Sequence, residues 1–200
     1  SKRISVTSAN TARTQKPRQG QNILTNSGFD NTTFFHDGVI HRKLSLMGFD
    51  LVADNFLPFV HGQKAYAFHL SIKLNIPLMF YGECGPVEYG GSTKAKNKPY
   101  ESIEDWDTNY HKGVNIDKLI QYAEKYGYLT KKEIQQKSLD FYRAPNIEDI
   151  NRVGCQMHWM SYYRKWVPQE NYYYAVKNTG FVPRVGRSET TYSRYASLDD

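Results

Sequence analysis

The 200-residue chain has few cysteines and no long apolar run, and each of these features excludes some classes of protein. Cys84 and Cys155 are too few for a disulfide framework or a four-cysteine zinc site, so a reducing, cytoplasmic setting is the simplest interpretation. The longest apolar run, near residues 76–81, is far shorter than the ~20 residues of a membrane-spanning helix. No apolar stretch follows the basic N-terminus, as a signal peptide would require. We therefore expect a cytoplasmic globular protein without a membrane partner.

Acidic residues are absent from the first 20 residues, and most of the net charge of +6 lies there. The first 20 residues contain five basic residues and no acid, so the remaining 180 residues are close to neutral. The basic residues of a nucleic-acid-binding domain more often lie on one folded face. We therefore expect no nucleic-acid partner. The basic segment is either a solvated terminus or a contact for an anionic small molecule.

Helical periods alternate with short β-prone runs, which predicts a layered α/β fold with a parallel sheet flanked by helices. A strand is predicted at residues 4–7 and an amphipathic helix over 63–74. The apolar run 76–81 comes directly after that helix and is typical of a central parallel strand. Residues 83–113 form a loop-rich insertion without a sustained period, and 181–200 form a polar tail.

Three further elements follow from local signals, within what we expect to be a single, partial domain over 1–200. A helix over 40–47 is predicted to end at Gly48. The capping box that begins at Thr130 predicts a helix to about residue 142. The aromatic density of 155–166 favours a strand over a helix. Because the chain starts and stops abruptly, we expect it to be a segment of a longer protein.

The glycine-rich segment after the apolar run carries the most informative chemistry. Ligands of α/β sheets bind beyond the carboxyl ends of the strands, and Glu83 and Glu88 follow such an end. Carboxylates at this place can hold Mg²⁺ on a nucleotide phosphate, because Mg²⁺ prefers hard oxygen ligands. The alternative is a solvated loop with two surface acids.

A second candidate region, residues 59–64, is predicted to lie at a helix N-terminus. Free backbone N–H groups there attract anions, and Lys64 would add positive charge. His61 could contact a phosphate or transfer a proton near neutral pH; the alternative is that it only caps the helix. The sequence from Gly90 to Lys94 lacks the spacing of a Walker motif, and the cysteines and histidines show no metal-ligand spacing.

Four motifs occur in order along the chain and together resemble one family. They are PFVHGQK at 58–64, IPLMFYGECGPVEYGG at 76–91, KWVPQENYYYA at 165–175 and ETTYSRY at 189–195. The chain resembles the N-acetyl sugar amidotransferases of bacterial lipopolysaccharide O-antigen and flagellin-glycan biosynthesis, from about Gly28 to its end. The family's S-G-G-x-D-S loop is absent here and is expected upstream of Ser1. Cys84 stands where the family usually has asparagine.

The resemblance implies a PP-loop ATP pyrophosphatase fold, similar to the adenine nucleotide α-hydrolases, and a synthetase subunit that uses ATP and Mg²⁺. Such an enzyme converts the acetamido group of a nucleotide-activated N-acetyl sugar to an acetamidino group through an adenylated amide. The ammonia comes from a glutaminase partner. Transfer of AMP to the amide oxygen turns a poor electrophile into one with a good leaving group.

The resemblance also implies roles for individual residues. Glu83 and Glu88 would be catalytic, beside the activated amide, with Glu83 as a Mg²⁺ ligand. The implied nucleotide-binding residues are Thr7 beside the adenine, Lys64 facing phosphate, His61 and Gly82. The implied residues on the sugar-nucleotide side are Tyr89, Arg187, Glu189 and Tyr192.

Two alternatives remain open. Another PP-loop enzyme, such as a tRNA-thiolating one, would be expected to carry cysteines paired for sulfur transfer and a folded basic face. A non-catalytic partner-binding module is the other alternative, because the sequence contains no loop that could hold a triphosphate.

Overall fold

The computed structural model describes residues 4–8, 25–82, 98–103, 106, 111–183 and 185–186. Along the chain the elements are β1 (Ile4–Ser8), β2 (Asp30–Phe34), α1 (Gly38–Val52), α2 (Leu57–Leu74), β3 (Leu78–Tyr81), β4 (Tyr100–Glu101), α3 (Ile116–Lys125), α4 (Lys131–Ile134), a 3₁₀ helix (Lys137–Tyr142), α5 (Ile147–Val153), β5 (Gln156–Trp159), α6 (Met160–Tyr163) and α7 (Pro168–Asn178). This combination confirms the predicted mixed α/β class. The chain divides into two compact units, 1–35 with 165–200, and 36–164; the single domain over 1–200 stays a prediction.

In the part of the first unit that the structure describes, β1 and β2 form a two-stranded parallel sheet, and α7 is its helix. β1 pairs with β2 from Ile4 opposite Asp30 to Ser8 opposite Phe34, which confirms a strand at the predicted place. α7 begins at Pro168, where the missing N–H has no intrahelical partner to lose, and it ends at Asn178.

The second unit contains a three-stranded sheet with the order β3-β5-β4. β3 is parallel to β5, and β4 is antiparallel to it. The sheet is therefore mixed: the predicted parallel arrangement is confirmed for β3 and β5, whereas β4 departs from it. Within the described residues β5 is the central strand, so the central position predicted for 76–81 is wrong as well. Only the first part of the predicted strand at 155–166 is extended, because the chain turns into α6 at Met160.

Helix α1 is longer at both ends than its apolar pattern indicated. The Asp37 carboxylate caps it by accepting from the backbone N–H groups of Val39 and Ile40, at 2.9 and 3.2 Å. The helix continues past Gly48 and ends at Ala53 in the left-handed conformation, with φ 56°. The prediction that Gly48 ends the helix is therefore wrong. A Cβ at Gly48 would lie 2.6 Å from the Asp54 carbonyl oxygen, so this glycine permits a close approach of the chain.

The capping box at Thr130 is confirmed, but the helix that it starts is short. The Thr130 backbone N–H donates to Glu133 Oε2 at 2.8 Å, and the Glu133 N–H donates to Thr130 Oγ1 at 3.3 Å. α4 nevertheless ends at Ile134, and the chain resumes as the 3₁₀ helix at Lys137. The predicted continuous helix to residue 142 is wrong.

Two hydrophobic cores lie in the second unit. The helical core consists of Ile40, Leu44, Met47, Leu57, Ile116, Leu119, Ile120, Ala123, Leu129, Leu139 and Tyr142. The sheet core consists of Ala65, Phe68, Trp106, Ile150, Cys155, Met157 and Trp159. Leu57 and Ala65 both belong to α2, so this helix contributes to both cores. Among the described residues, no helix is at once long enough and apolar enough to cross a membrane.

Candidate functional site

Lys64 and His61 lie inside α2, not at its N-terminus. The helix begins at Leu57 with Pro58 in its first turn, so the predicted N-terminal position of residues 59–64 is wrong. Gly62 lies inside the helix and serves helix packing, because a Cβ there would lie 3.3 Å from Tyr142 Cδ1. The backbone N–H groups around Lys64 are therefore engaged in the helix, and its own ammonium is the group that could attract an anion.

The Lys64 ammonium is enclosed by one carboxylate and two aromatic rings. Its Nζ lies 2.7 Å from Glu101 Oε2, and the two side chains are only 2% and 4% exposed. The same Nζ lies 4.7 Å from the centre of the Tyr81 ring and 4.8 Å from that of Trp159. These distances are within the range of cation–π attraction. The cation is therefore desolvated and held from several sides.

This charged cluster lies at the carboxyl ends of two parallel strands. Tyr81 is the last residue of β3, Trp159 is the last residue of β5, and the two pair in register. Gly82 follows Tyr81, and a Cβ added there would meet nothing within 4 Å. In α/β sheets this edge is where ligands bind. The structure thus brings Lys64 together with the end of the strand that leads into Gly82.

The energetic character of the Lys64–Glu101 pair favours a role beyond stability. Desolvation of two charges costs several kcal/mol per ion, and their attraction often no more than offsets this cost. Strongly desolvated charges with a specific partner are typical of functional sites. Chemically, the cluster is an ion pair in a low-dielectric setting, where the ammonium and the carboxylate attract each other strongly.

His61 has a clear structural partner. It is 2% exposed, and its Nε2 donates to the Val114 carbonyl oxygen at 3.1 Å. Its ring centre lies 3.6 Å from that of the buried His111. These contacts join α2 to the segment before α3, and the predicted phosphate contact of His61 stays a prediction.

The other predicted site residues are not tested by these contacts. Outside the described residues lie Glu83, Glu88, Tyr89, Arg187, Glu189 and Tyr192, and with them the predicted Mg²⁺ site. Thr7 lies on β1, in the first unit, opposite Thr33 of β2. In the described ranges, no group of three or more His, Cys, Asp or Glu residues could hold a metal ion.

Sequence reasoning missed two residues of the charged cluster, Glu101 and Trp159. Glu101 stands in the loop-rich insertion, where no periodicity indicates a strand, and 37 residues separate it from Lys64. Trp159 was one of many aromatics in its segment. The sequence predicts phosphate as the partner of Lys64, and no sequence signal identified the buried acid that pairs with it.

A second polar cluster lies at the start of α1. His41 Nδ1 is 2.9 Å from the Tyr142 hydroxyl, and the ring centres of His36 and His41 are 3.9 Å apart. Burial, together with the nearby His36, lowers the pKa of His41 to about 4. Burial also raises the pKa of Tyr142 above its ordinary value. His41 is therefore neutral at physiological pH.

Comparison with known proteins adds no family assignment to this geometry. No protein-family model matches the sequence, and a search of curated proteins found no significant match. The resemblance to the amidotransferases therefore stays a prediction based on its motifs.

Proposed function

We propose that this protein is an ATP-dependent amidotransferase synthetase subunit with a PP-loop type fold. Its substrate would be a nucleotide-activated N-acetyl sugar, whose acetamido group becomes an acetamidino group in lipopolysaccharide O-antigen or flagellin-glycan biosynthesis. The observation that supports this most is the desolvated Lys64 cation at the carboxyl ends of β3 and β5. The motif order along the chain supports the choice of substrate.

The proposed reaction has two steps. The amide oxygen of the sugar attacks the α-phosphorus of ATP, the bond to the β,γ-phosphates breaks, and pyrophosphate leaves. Ammonia from a glutaminase partner then attacks the activated carbon, and the C–O bond breaks to release AMP, with loss of a proton. The former amide oxygen therefore ends in AMP. Catalysis depends on positioning and on neutralisation of phosphate charge.

In this proposal each group of residues has one task. The Lys64 ammonium attracts the phosphates, and Glu101 with the two rings fixes its position. Glu83 and Glu88, which follow Gly82, supply the hard oxygen atoms that suit Mg²⁺. The metal would neutralise phosphate charge when bound.

The remaining assignments concern the two ends of the ligands. Thr7 would border the adenine. His61, Gly82 and Tyr89 would lie near the phosphates and the sugar. The sugar-nucleotide side would be lined by Arg187, Glu189 and Tyr192.

The direct test measures pyrophosphate release from ATP by the full-length native protein, with a UDP-N-acetyl sugar and ammonia. We expect release that depends on the sugar, and ¹⁸O from a labelled acetamido group should appear in AMP. Glu83→Gln should lower turnover at least 100-fold, since removal of a charge-stabilising group typically costs this much. Glu124→Gln, at an exposed acid near the end of α3, is the matched control and should leave turnover unchanged.

Three results would contradict parts of the proposal. Without sugar-dependent pyrophosphate release, the amidotransferase assignment is wrong. Release that depends on tRNA and a sulfur donor would favour the tRNA-thiolating alternative. Unchanged turnover in Glu83→Gln would remove Glu83 from the site while leaving the reaction in place.

A further inference from the structure

One face of the three-stranded sheet points away from the sheet core and is rich in exposed rings. Side chains alternate along a strand, so Met157 and Trp159 face the sheet core while His158 between them faces the other way. Phe80 and Tyr100 lie on this outer face and are 55% and 42% exposed. Their ring centres are 6.2 and 5.7 Å from that of His158.

Helix α6 adds a fourth ring to this face and fixes the arrangement. The centre of the Tyr163 ring lies 5.9 Å from that of Phe80, edge-on, and 5.7 Å from that of His158, stacked. The Tyr163 hydroxyl is hydrogen-bonded to His158 Nδ1, and His158 Nε2 lies 3.1 Å from Gln156 Oε1. Because an amide oxygen only accepts, Nε2 carries the proton and Nδ1 accepts from Tyr163. We call Phe80, Tyr100, His158 and Tyr163 the aromatic platform.

The chemistry of the aromatic platform suits a planar polar ring. Its rings carry hydroxyl and imidazole groups at their edges, so a ligand can both stack and form hydrogen bonds. Any nucleobase can stack on exposed aromatic side chains of this kind. Because its rings are already held by one another, a ligand would not bear the cost of ordering them.

The position of the aromatic platform on the sheet and the charged residues near it indicate which kind of ligand it binds. Phe80 and His158 each stand one residue before the end of their strand, next to the charged cluster but on the opposite face of the sheet. Lys98 lies two residues before Tyr100 in the sequence, and the exposed Arg164 directly follows Tyr163. Glu101 contacts Lys64 on the buried side. Apart from Glu101, the charged residues within two positions of Tyr100 and Tyr163 in sequence are cationic, which complements phosphate.

We propose that the aromatic platform binds the nucleobase of the nucleotide-activated sugar, with Arg164 near its phosphates. The choice of ligand rests on the proposed function, whereas the binding of a base and a phosphate rests on the rings and the cations. The base stacks on Phe80 and Tyr163, and the hydroxyl and imidazole groups orient it. The reacting sugar then extends toward the carboxyl edge of the sheet.

The test is calorimetric titration of the full-length protein with UMP, with ribose 5-phosphate as the probe that lacks a base. UMP should bind at least tenfold more tightly than ribose 5-phosphate. Phe80→Ala and Tyr163→Ala should each weaken UMP binding about 5- to 100-fold, the range found for loss of a stacked base. Tyr126→Ala removes an equally exposed ring at the end of α3 and should leave UMP binding unchanged.

Conservative variants and thermal unfolding separate stacking from loss of structure. Tyr163→Phe keeps the ring and should retain most UMP affinity, and all variants should unfold within a few degrees of the wild type. Equal UMP affinity in the wild type and in Phe80→Ala and Tyr163→Ala overturns the proposal, as does the absence of UMP binding at millimolar concentration. Oligouridylate affinity that rises steeply with length and depends on the platform would assign it to single-stranded RNA instead.

The outcome is separable from that of the proposed function. If sugar-dependent pyrophosphate release is present but UMP affinity does not depend on the platform residues, only the platform assignment is wrong. If UMP binding depends on the platform and no such release occurs, the amidotransferase proposal is wrong, and the platform is a nucleotide site of another activity.

Discussion

The helical core and the sheet core of the second unit differ in what they bury. The helical core is aliphatic apart from Tyr142, and its ion pair lies at the margin: Lys43 Nζ is 2.5 Å from Glu133, and the side chains are 32% and 18% exposed. The sheet core contains two tryptophans and lies beside a charge pair that is almost fully buried. The same chain thus keeps charge at the surface of one core and encloses it in the other.

The difference shows which core is shaped by stability alone. Burial of a leucine or isoleucine side chain contributes about 1.5–3 kcal/mol, and the helical core repeats this contribution at many positions. A buried ion pair contributes little net stability, and well-packed apolar side chains often replace it without loss. The proposed function gives the charge pair enclosed at the carboxyl ends of the strands a role in ligand binding.

The largest expected effect comes from breaking the buried pair on one side. Lys64→Ala leaves the Glu101 carboxylate buried without its counter-charge, and we expect a loss of about 3–5 kcal/mol in the free energy of unfolding. Lys64→Met combined with Glu101→Leu should return to within about 1 kcal/mol of the wild type. Urea unfolding at pH 7 measures both. The double variant should still lose ATP-dependent pyrophosphate release.

The control for this variant is the marginal pair of the helical core. Lys43→Ala should cost less than about 1 kcal/mol, because a partly exposed ion pair is weak. If Lys64→Ala and Lys43→Ala destabilise the protein equally, the contrast between the two cores is wrong. If the double variant keeps full activity, the Lys64 charge is not needed for the reaction. Its assignment to the ligand site is then wrong.

A smaller effect is expected in the helical core, and it should concern stability alone. Leu119 on α3 is fully buried, so Leu119→Ala should lower the free energy of unfolding by about 3 kcal/mol through lost burial and a cavity. UMP affinity should not change at temperatures where the variant is folded. Leu46→Ala, at an exposed site on α1, is the control and should cost less than about 0.5 kcal/mol. A change in UMP affinity in Leu119→Ala would show that the helical core also shapes the ligand site.

Local signals predicted the elements of the helical core better than their ends. The Thr130 capping box and the apolar pattern of 40–47 each act within one or two helical turns, so the sequence displays them directly. The end of α1 is not displayed in this way, because a glycine that stops a helix and a glycine that admits a neighbour look alike in sequence. The close Asp54 carbonyl oxygen shows that Gly48 is of the second kind.

The sheet core was predicted less well because its determinants are far apart in sequence. The run before Gly82 was correctly predicted as a strand. Its position at one side of β5 depends on pairing with residues 156–159, which no local pattern reveals. The sequence predicts that the Lys64 charge faces phosphate. Its carboxylate partner, Glu101, is evident only from the pairing of β4 with β5.

The smallest effect that separates the two cores is a dependence of stability on pH. The pKa of His41 falls from 6.5 to about 4 in the folded state, through burial first and the nearby His36 second. Between these values the unfolded chain binds more protons than the folded one. The stability that the neutral His41 provides is therefore complete above pH 6.5 and is lost as the pH falls toward 4. Because the ring is partly exposed, we expect this loss to be about 1 kcal/mol.

The measurement is urea unfolding of the wild type and of His41→Gln at intervals between pH 7 and pH 4, where the variant should show a shallower fall. Glu133 does not interfere above pH 4.5, where the two slopes are compared. The hydrogen bond from Lys43, followed by those from Thr130, lowers its pKa from 4.5 to about 2. The stability from Glu133 is therefore present above pH 4.5 and is lost only as the pH falls toward 2. An equal slope in both proteins above pH 4.5 would show that the titrating group is not His41.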